Sequence, residues 1–489
     1  MAPGDRISKS STTNTFVEKE FWRGRKKQFG IAVGSTFVLI QVLFLVVLSY
    51  LFGSVYRQST RIHNLNVLSV DYDGGVIGQS LTAAGESLNA PSFPSIVVRN
   101  ATDYEDVSDV VAAVRRGDYW AAVYTHAGAS DRLSAALQGG SAAETYNSSA
   151  AITYVWNEIR YASVAAGTIK GNLETLVGVA RVVYTRLNGT QALSTLSQTD
   201  SAAVSAYLNP IQASSINIKP SPQSTKTIYN TIPMVMAIIM QFFFLMAVNG
   251  IASSLQLYSH IPVIQNGLVR LTLSFTYTFI GSLCMSAYLW AFKESWQQPT
   301  SVFFLVWMIL WLYQHVNFLV FDVATTFIPM SFISFFVLSW VIANVTSVIM
   351  PFELCPGFYR WAYALPAHEV WTVLVTIWSG GAVNRLYRAL PILFAWWVVL
   401  APVACFALKW RCRKAAEAHA ADVAAKEEEL GKKKDAWEKG RGLSSPGTAT
   451  GGGEMGGFVA AEGLSRQHTE YFPSAPVPFE GTLRRVFSV

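Results

Sequence analysis

A single apolar run at residues 29–52 is separated by a long polar stretch, residues 53–229, from a crowded series of further apolar runs. A helix needs about 20 apolar residues to cross the hydrocarbon core of a bilayer. Residues 29–52, 232–255, 271–291, 302–321, 327–350 and 390–408 meet that requirement. The expected fold class is an α-helical polytopic membrane protein with six transmembrane helices and an α/β extracytosolic domain between the first two. Only 14% of the residues are charged and 51% are hydrophobic. Soluble domains carry about 25% charged residues, so the composition excludes a multi-domain soluble enzyme.

Charge sets the expected orientation. Arg23, Arg25, Lys26 and Lys27 precede the first run, and Lys409, Arg411, Arg413 and Lys414 follow the last. Cytoplasmic flanks carry this bias, which puts both termini in the cytosol of a plasma membrane or endomembrane. The net charge of +6 is then a flank effect and no sign of nucleic-acid binding. The polar stretch holds three N-glycosylation acceptors, Asn100-Ala101-Thr102, Asn147-Ser148-Ser149 and Asn188-Gly189-Thr190. They fit an extracytosolic side; a further formal sequon at Asn344 falls within an apolar run. The first run ends at Gly53-Ser54-Val55-Tyr56-Arg57 without a small-residue cleavage pattern and reads as a signal anchor.

These signals divide the chain into a disordered cytosolic N-terminus (1–28), a first transmembrane helix (29–52), a glycosylated extracytosolic α/β domain (53–229), a five-helix membrane domain (230–411) and a mostly disordered cytosolic tail (412–489). An interfacial hairpin at 351–388 belongs to the membrane domain. None of Cys284, Cys355, Cys405 and Cys412 lies in the polar stretch, so that domain must hold itself by packing without disulfides. Cys284 and Cys405 are expected as packed thiols. Cys412, among basic residues after the last run, sits in a setting that suits palmitoylation.

Within the polar stretch, Asn66 to Gly75 reads as a strand ending in a turn, Ser95 to Arg99 as a second strand and Tyr119 to Tyr124 as a third. Ile77 to Ala84 reads as a helix between the first two strands. Val107, Val110, Val111 and Val114 recur at helical spacing before Arg115-Arg116-Gly117-Asp118. From Ser130 to about Asn188 the chain reads as helical, with a long alanine-rich helix over 150–187. Residues 209–222, broken by Pro210, Pro220 and Pro222, read as extended.

Polar chemistry near the membrane concentrates at Glu353, Arg360, His368 and Glu369, around the Pro356-Gly357 turn and a helix from Val370 to Trp378 too short to cross. These four residues either form a polar site for a lipid head group or amphiphile, or Arg360 pairs with Glu353 or Glu369 to position the hairpin. His368-Glu369 is not a zinc-protease motif, because residue 372 is Thr. Inside the runs, Gln314, His315 and Asn317 either line a polar path or, like Gln41, Gln241, Asn249 and Asn344, join helices by hydrogen bonds. The run centres hold almost no Asp, Glu, Lys or Arg. Proton-coupled pumps use buried carboxylates, so an amphiphile path is expected over a proton-driven antiporter. Tyr50, Trp290, Trp296 and Tyr359 to Tyr363 are expected to anchor at the interface.

Three segments carry a resemblance. Val67 to Gly75, Val114 to Val123 and Pro351 to Gly381 resemble, in order, the strand and turn after the first span, the helix–Gly–strand element and the amphipathic segment before the last span of type-2 ABC exporter membrane domains. Residues 29–413 are most similar to the fungal nitrosoguanidine-resistance family of membrane proteins, and remotely to the bacterial phage-infection-protein family. The resemblance implies drug tolerance or membrane-lipid handling and a homodimer. It leaves the energy source open, since no G-x-x-x-x-G-K-[ST] loop occurs and an ATPase would have to be a partner. No catalytic, cofactor-binding or metal-ligating pattern is present, so no enzyme activity and no cofactor are expected. The expected function is to move, or help move, hydrophobic compounds or lipids, with membrane lipids and hydrophobic small molecules as partners. The alternative is a non-transporting scaffold or regulator of lipid organisation.

The sequons give a direct check on orientation. Endoglycosidase treatment of protein expressed in a eukaryotic cell should increase its gel mobility, and Asn→Gln substitution at 100, 147 and 188 should remove that shift stepwise. Protein that carries no glycan at any of the three would contradict the extracytosolic placement.

Overall fold

The computed structural model describes Trp22 and residues 24–441 of the 489-residue chain. The Ser/Thr-rich start up to residue 20 and the low-complexity tail from residue 442, both expected to be disordered, lie outside the described residues. Along the chain, α1 (Arg25–Ser54) is followed by β1 (Val67–Asp71), α2 (Val76–Ser87), β2 (Ile96–Arg99), α3 (Val107–Arg116), β3 (Ala121–Thr125), α4 (Ala129–Leu137), β4 (Ile152–Trp156), α5 (Gly171–Thr195) and β5 (Ala213–Asn217). Then come α6 (Ile232–Ser254), α7 (Val263–Ala291), α8 (Thr300–Phe327), α9 (Met330–Ile349), a tight 3-10 stretch (Gly357–Ala364), α10 (Pro366–Trp378) and α11 (Leu386–Arg441). Among the described residues α1, α6, α7, α8, α9 and α11 are long and apolar enough to cross a membrane. The chain is thus a mostly helical, multi-pass protein with one small sheet.

The sheet has the order β2-β1-β3-β4-β5. β1 runs parallel to β2 and β3, β4 runs antiparallel to β3, and β5 runs parallel to β4. Ile77, Leu81 and Ala84 of α2 cover one face against Val67 and Val123. Val110, Ala113 and Val114 of α3 cover the other against Leu68, Val70 and Ala122. Strands buried on both faces read as continuous apolar runs, which is why β1 and β3 were legible. The long helix expected over 150–187 is not formed as such. Ile152-Thr153-Tyr154-Val155-Trp156 is β4, because branched and aromatic side chains fit a pleated surface between β3 and β5. Helix begins only with the wider π turn Val164–Lys170 and continues as α5.

The sheet unit and the helix bundle share one continuous core. A file of aromatic rings runs through it: Trp120, Tyr161, Trp371, Trp378 and Tyr229 have successive centroids 5.6–6.4 Å apart. Trp296 joins this file and is buried, and the buried Tyr359 donates its hydroxyl to the Tyr50 carbonyl at 2.7 Å. Both are packing joints rather than the interfacial anchors expected. Backbone straps reinforce the contact. The Val383 N–H donates to the Arg115 carbonyl at 2.7 Å, and Arg115 Nη2 donates to the Gly380 carbonyl at 3.0 Å. Asn64 Nδ2 donates to the Glu353 carbonyl, Gln298 Nε2 to that of Trp378, and the Ser224 N–H to the Glu294 carboxylate. The sheet unit, the link at 292–299 and the connector at 350–385 therefore meet at one end of the bundle.

The opposite end holds charge where none was expected. Arg270 and Asp322, 7% and 5% exposed, lie inside α7 and α8 and pair at 2.6 Å. Arg411 of α11 approaches the same carboxylate at 3.5 Å. Arg270 also donates to Tyr258 and Asn249, and Arg411 to Asn249, Thr325 and Thr326. The apolar runs end one residue short of Arg270 and of Asp322, but the helices continue past both, so the charges are buried between helices. Cys284 and Cys405, expected as packed thiols, lie exposed on the helix surfaces, and Cys412 is buried. A second unit begins at Ala421. Its described part is helix carrying the Glu428–Lys432 and Glu429–Lys433 pairs.

Gly117 fixes the approach of connector to sheet unit. It ends α3 with φ +80°, and a Cβ there would lie 2.9 Å from Val383 Cγ1. A left-handed non-glycine residue costs roughly 1–2 kcal/mol before any clash. Gly117→Ala should lower the melting temperature of the solubilised protein and speed protease cleavage of the connector; an unchanged melting temperature would show that this contact does not hold the two together.

Candidate functional site

The connector between α9 and α11 forms one wall of a cavity of about 320 Å³ whose other wall is the sheet unit. The sheet unit supplies Trp120, which leads into β3, and Arg160 and Tyr161, which follow β4. The connector supplies Glu353, Tyr363, His368 and Trp371, and the start of α11 supplies Tyr387 and Arg388, with Arg385 just before it. Pro366 in the first turn starts α10 cleanly, and the side chain of Asn344 accepts the Ala367 N–H at 3.2 Å, holding that start against α9. This buried role accounts for the sequon at Asn344 lying within a helix.

Both carboxylates expected here are present, but their partners differ from those expected. Glu353 faces Arg160 at 3.7 Å, and Glu369 faces Arg388 at 3.2 Å. Arg360 is exposed and pairs with neither. The Arg160 guanidinium lies 3.7 Å from the centre of the Trp120 ring, and Arg388 lies 4.6 Å from that of Tyr363. Such stacking leaves a guanidinium's in-plane donors free for an anion. The Arg388–Glu369 pair is joined by one long hydrogen bond, from Arg388 Nη2 to Glu369 Oε2 at 3.4 Å, while Arg388 Nε and Glu369 Oε1 are left without one. Tyr161 and Trp371 are 8% and 4% exposed, and the Tyr161 hydroxyl and the Trp371 indole N–H have no partner among the described residues.

Burial dominates the titration of the connector. It pushes Glu369 up to about 7, with Arg388 pulling the other way. It pushes His368 down to about 4, so this ring is neutral at ordinary pH; its Nδ1 lies 2.8 Å from the Ser347 carbonyl and its ring stacks on Phe352. Burial also raises Tyr161 well above its ordinary value, which keeps the hydroxyl a donor.

The residues expected to line a path in α8 are buried and tied to other helices. Gln314 accepts from Gln241 at 3.1 Å and donates to Met285 Sδ, against Gly281, where a Cβ would lie 2.8 Å from Gln314 Oε1. His315 accepts from the Trp397 indole at 2.8 Å, and Asn317 from that of Trp340 at 2.8 Å. The structure brings Glu353, His368 and Glu369 together and leaves Gln314, His315 and Asn317 apart from them. Asn100 and Asn147 are exposed and Asn188 is partly so. Sequence reading missed Trp120, Arg160, Tyr161, Arg385 and Arg388. One signal was available: Arg385 and Arg388 precede the last apolar run, so both of its ends carry basic residues although the usual bias favours one. Among the described residues, no group of three or more His, Cys, Asp or Glu is placed to hold a metal ion.

The model of a family of proteins of unknown function, DUF3533, matches residues 36–401, which take in the sheet unit, the connector and most of the bundle. The chain belongs to that family. No curated protein and no solved structure matches it.

The two neighbouring titrations act in opposite directions on stability. A carboxyl raised in the folded protein favours folding below its ordinary value of 4.5, and that contribution is lost as pH rises through about 7. An imidazole lowered in the folded protein contributes above its ordinary 6.5, and this is lost as pH falls toward about 4. Glu369→Gln removes only the first. The melting temperature of this variant relative to the unsubstituted protein should therefore climb between about pH 5 and about pH 8; a difference that stays flat across this range would show that Glu369 does not titrate there.

Proposed function

We propose that this DUF3533 protein moves, or helps move, hydrophobic compounds or lipids, taking them up at the end of the bundle where the sheet unit and connector meet. The observation that carries this reading is the cavity between them. Its aromatic walls and paired charges suit an amphiphile, and its volume lies in the range of small-molecule sites, about 300–1,000 Å³. Exposure of Asn100 and Asn147 supports an extracytosolic position for this end, and Arg411, Arg413 and Lys414 at the other end support a cytosolic one. The resemblance to nitrosoguanidine-resistance proteins and exporter membrane domains supports a role in chemical tolerance.

A second reading, a non-transporting organiser of lipid, is favoured by α8. Gln314, His315 and Asn317 are each committed to a neighbouring helix, so these side chains act as joints in this conformation.

Reconstitution separates the two. Full-length protein in liposomes should move a labelled phospholipid between leaflets faster than protein-free vesicles do, and Glu353→Ala should slow this several-fold, because it leaves Arg160 without its counter-charge beside the cavity. Arg360→Ala should leave the rate unchanged. Flux equal to that of empty vesicles, from protein that still folds, would assign the organiser role instead.

A further inference from the structure

The cavity has an excess of cation and of unanswered donors. Of the three arginines that line it, Arg160 has Glu353 and Arg388 has Glu369, but Arg385 is partly buried with no carboxylate within ion-pair distance among the described residues. Arg160, on the same cavity, is disfavoured as a cation first by burial and then by Arg385. Two like charges facing one low-dielectric space are unfavourable unless an anion lies between them. The same walls carry two hydrogen-bond donors more than nine-tenths buried and without a partner, the Tyr161 hydroxyl and the Trp371 indole N–H. Buried polar groups are nearly always satisfied, by protein or by something bound. One unpaired guanidinium and two idle donors, drawn from both walls of one cavity, make a complementary set for a single oxyanion group.

The position of the cavity indicates where that group comes from. Tyr387, on its rim, stands 75% exposed in the first turn of α11, and Phe358 and Trp361 of the connector are exposed nearby in sequence. Amphipathic rings at a helix end mark the boundary between water and lipid. An oxyanion held here is within reach of the bilayer surface with its apolar tail still in lipid.

We infer that this cavity binds the phosphate or carboxylate head group of an anionic amphiphile, with Arg385 as the charge partner and Tyr161 and Trp371 as neutral donors. The inference rests on reading the cavity as an amphiphile site, and not on transport. A free oxyanion would satisfy the same donors, so the test carries both.

The full-length protein in phosphatidylcholine nanodiscs is titrated with fluorescent lysophosphatidic acid and with fluorescent lysophosphatidylcholine, using protein-free discs as the blank. The phosphate amphiphile should bind about tenfold tighter than the choline one. Arg385→Gln should abolish that preference, Arg385→Lys should keep most of it, and Arg360→Gln, on the same connector but outside the cavity, should leave it whole. Equal binding of the two probes, or loss of preference in Arg360→Gln as large as in Arg385→Gln, overturns the inference. Displacement of the probe by equimolar inorganic phosphate supports the oxyanion site but overturns the lipid as its occupant. If binding behaves as expected while liposomes show no flux, the inference stands and transport falls. Flux without anion preference does the reverse.

Discussion

The strap between Arg115 and Val383 is the contact that sets the connector against the sheet unit. It joins the end of α3 to the segment just before α11 by a backbone hydrogen bond of 2.7 Å, and it forms only because Gly117 has no side chain to hold Val383 away. With the Arg115–Gly380 and Asn64–Glu353 hydrogen bonds, it fixes the position of the connector against the sheet unit. Trp120, Arg160 and Tyr161 thereby face Glu353, His368 and Trp371. The file of aromatic rings along the same seam adds dispersion and area that one hydrogen bond cannot provide. The bond sets the register, and the rings supply most of the cohesion.

Buried charge is handled differently at the two ends. At the end away from the sheet unit, Asp322 sits between Arg270 and Arg411, and their remaining donors meet Asn249, Tyr258, Thr325 and Thr326. Every partner sits on a helix or helix turn, so the cluster ties α6, α7, α8 and α11 together. Desolvating such ions is tolerable only when nearly all their hydrogen bonds are made, and here they are. At the end that meets the sheet unit the accounting is incomplete among the described residues: donors are left idle, and one guanidinium has no counter-charge. A satisfied cluster suits a joint. An unsatisfied one suits a site.

How far the sequence could be read followed the range of the forces involved. The apolar runs marked all six long helices, because crossing length is a property of consecutive residues. They misjudged where helices end, and that error hid Arg270 and Asp322, which look like flanking charges until the helices are seen to run past them. The strands β1, β2 and β3 were legible from local patterning, whereas β4 was lost in an alanine-rich neighbourhood; its pairing with β3 and β5 outweighs local helix propensity. In the connector, Glu353, His368 and Glu369 were recognised as unusual, yet Arg360 was given the partner role that belongs to Arg160 and Arg388. Arg360 is close in sequence but points outward, and Arg160 is nearly two hundred residues away along the chain.

By itself the sequence determined the number of apolar helices and their place along the chain, the polarity of the stretch that interrupts them and the bias of basic residues at the ends, since each of these depends on composition over a short window. Only the tertiary structure decided which cation meets which carboxylate, which aromatic rings become core and which remain at the surface, and which donors are left without partners. Those outcomes depend on contacts between distant segments, where burial raises the energetic stake of every polar group and no local pattern records the result.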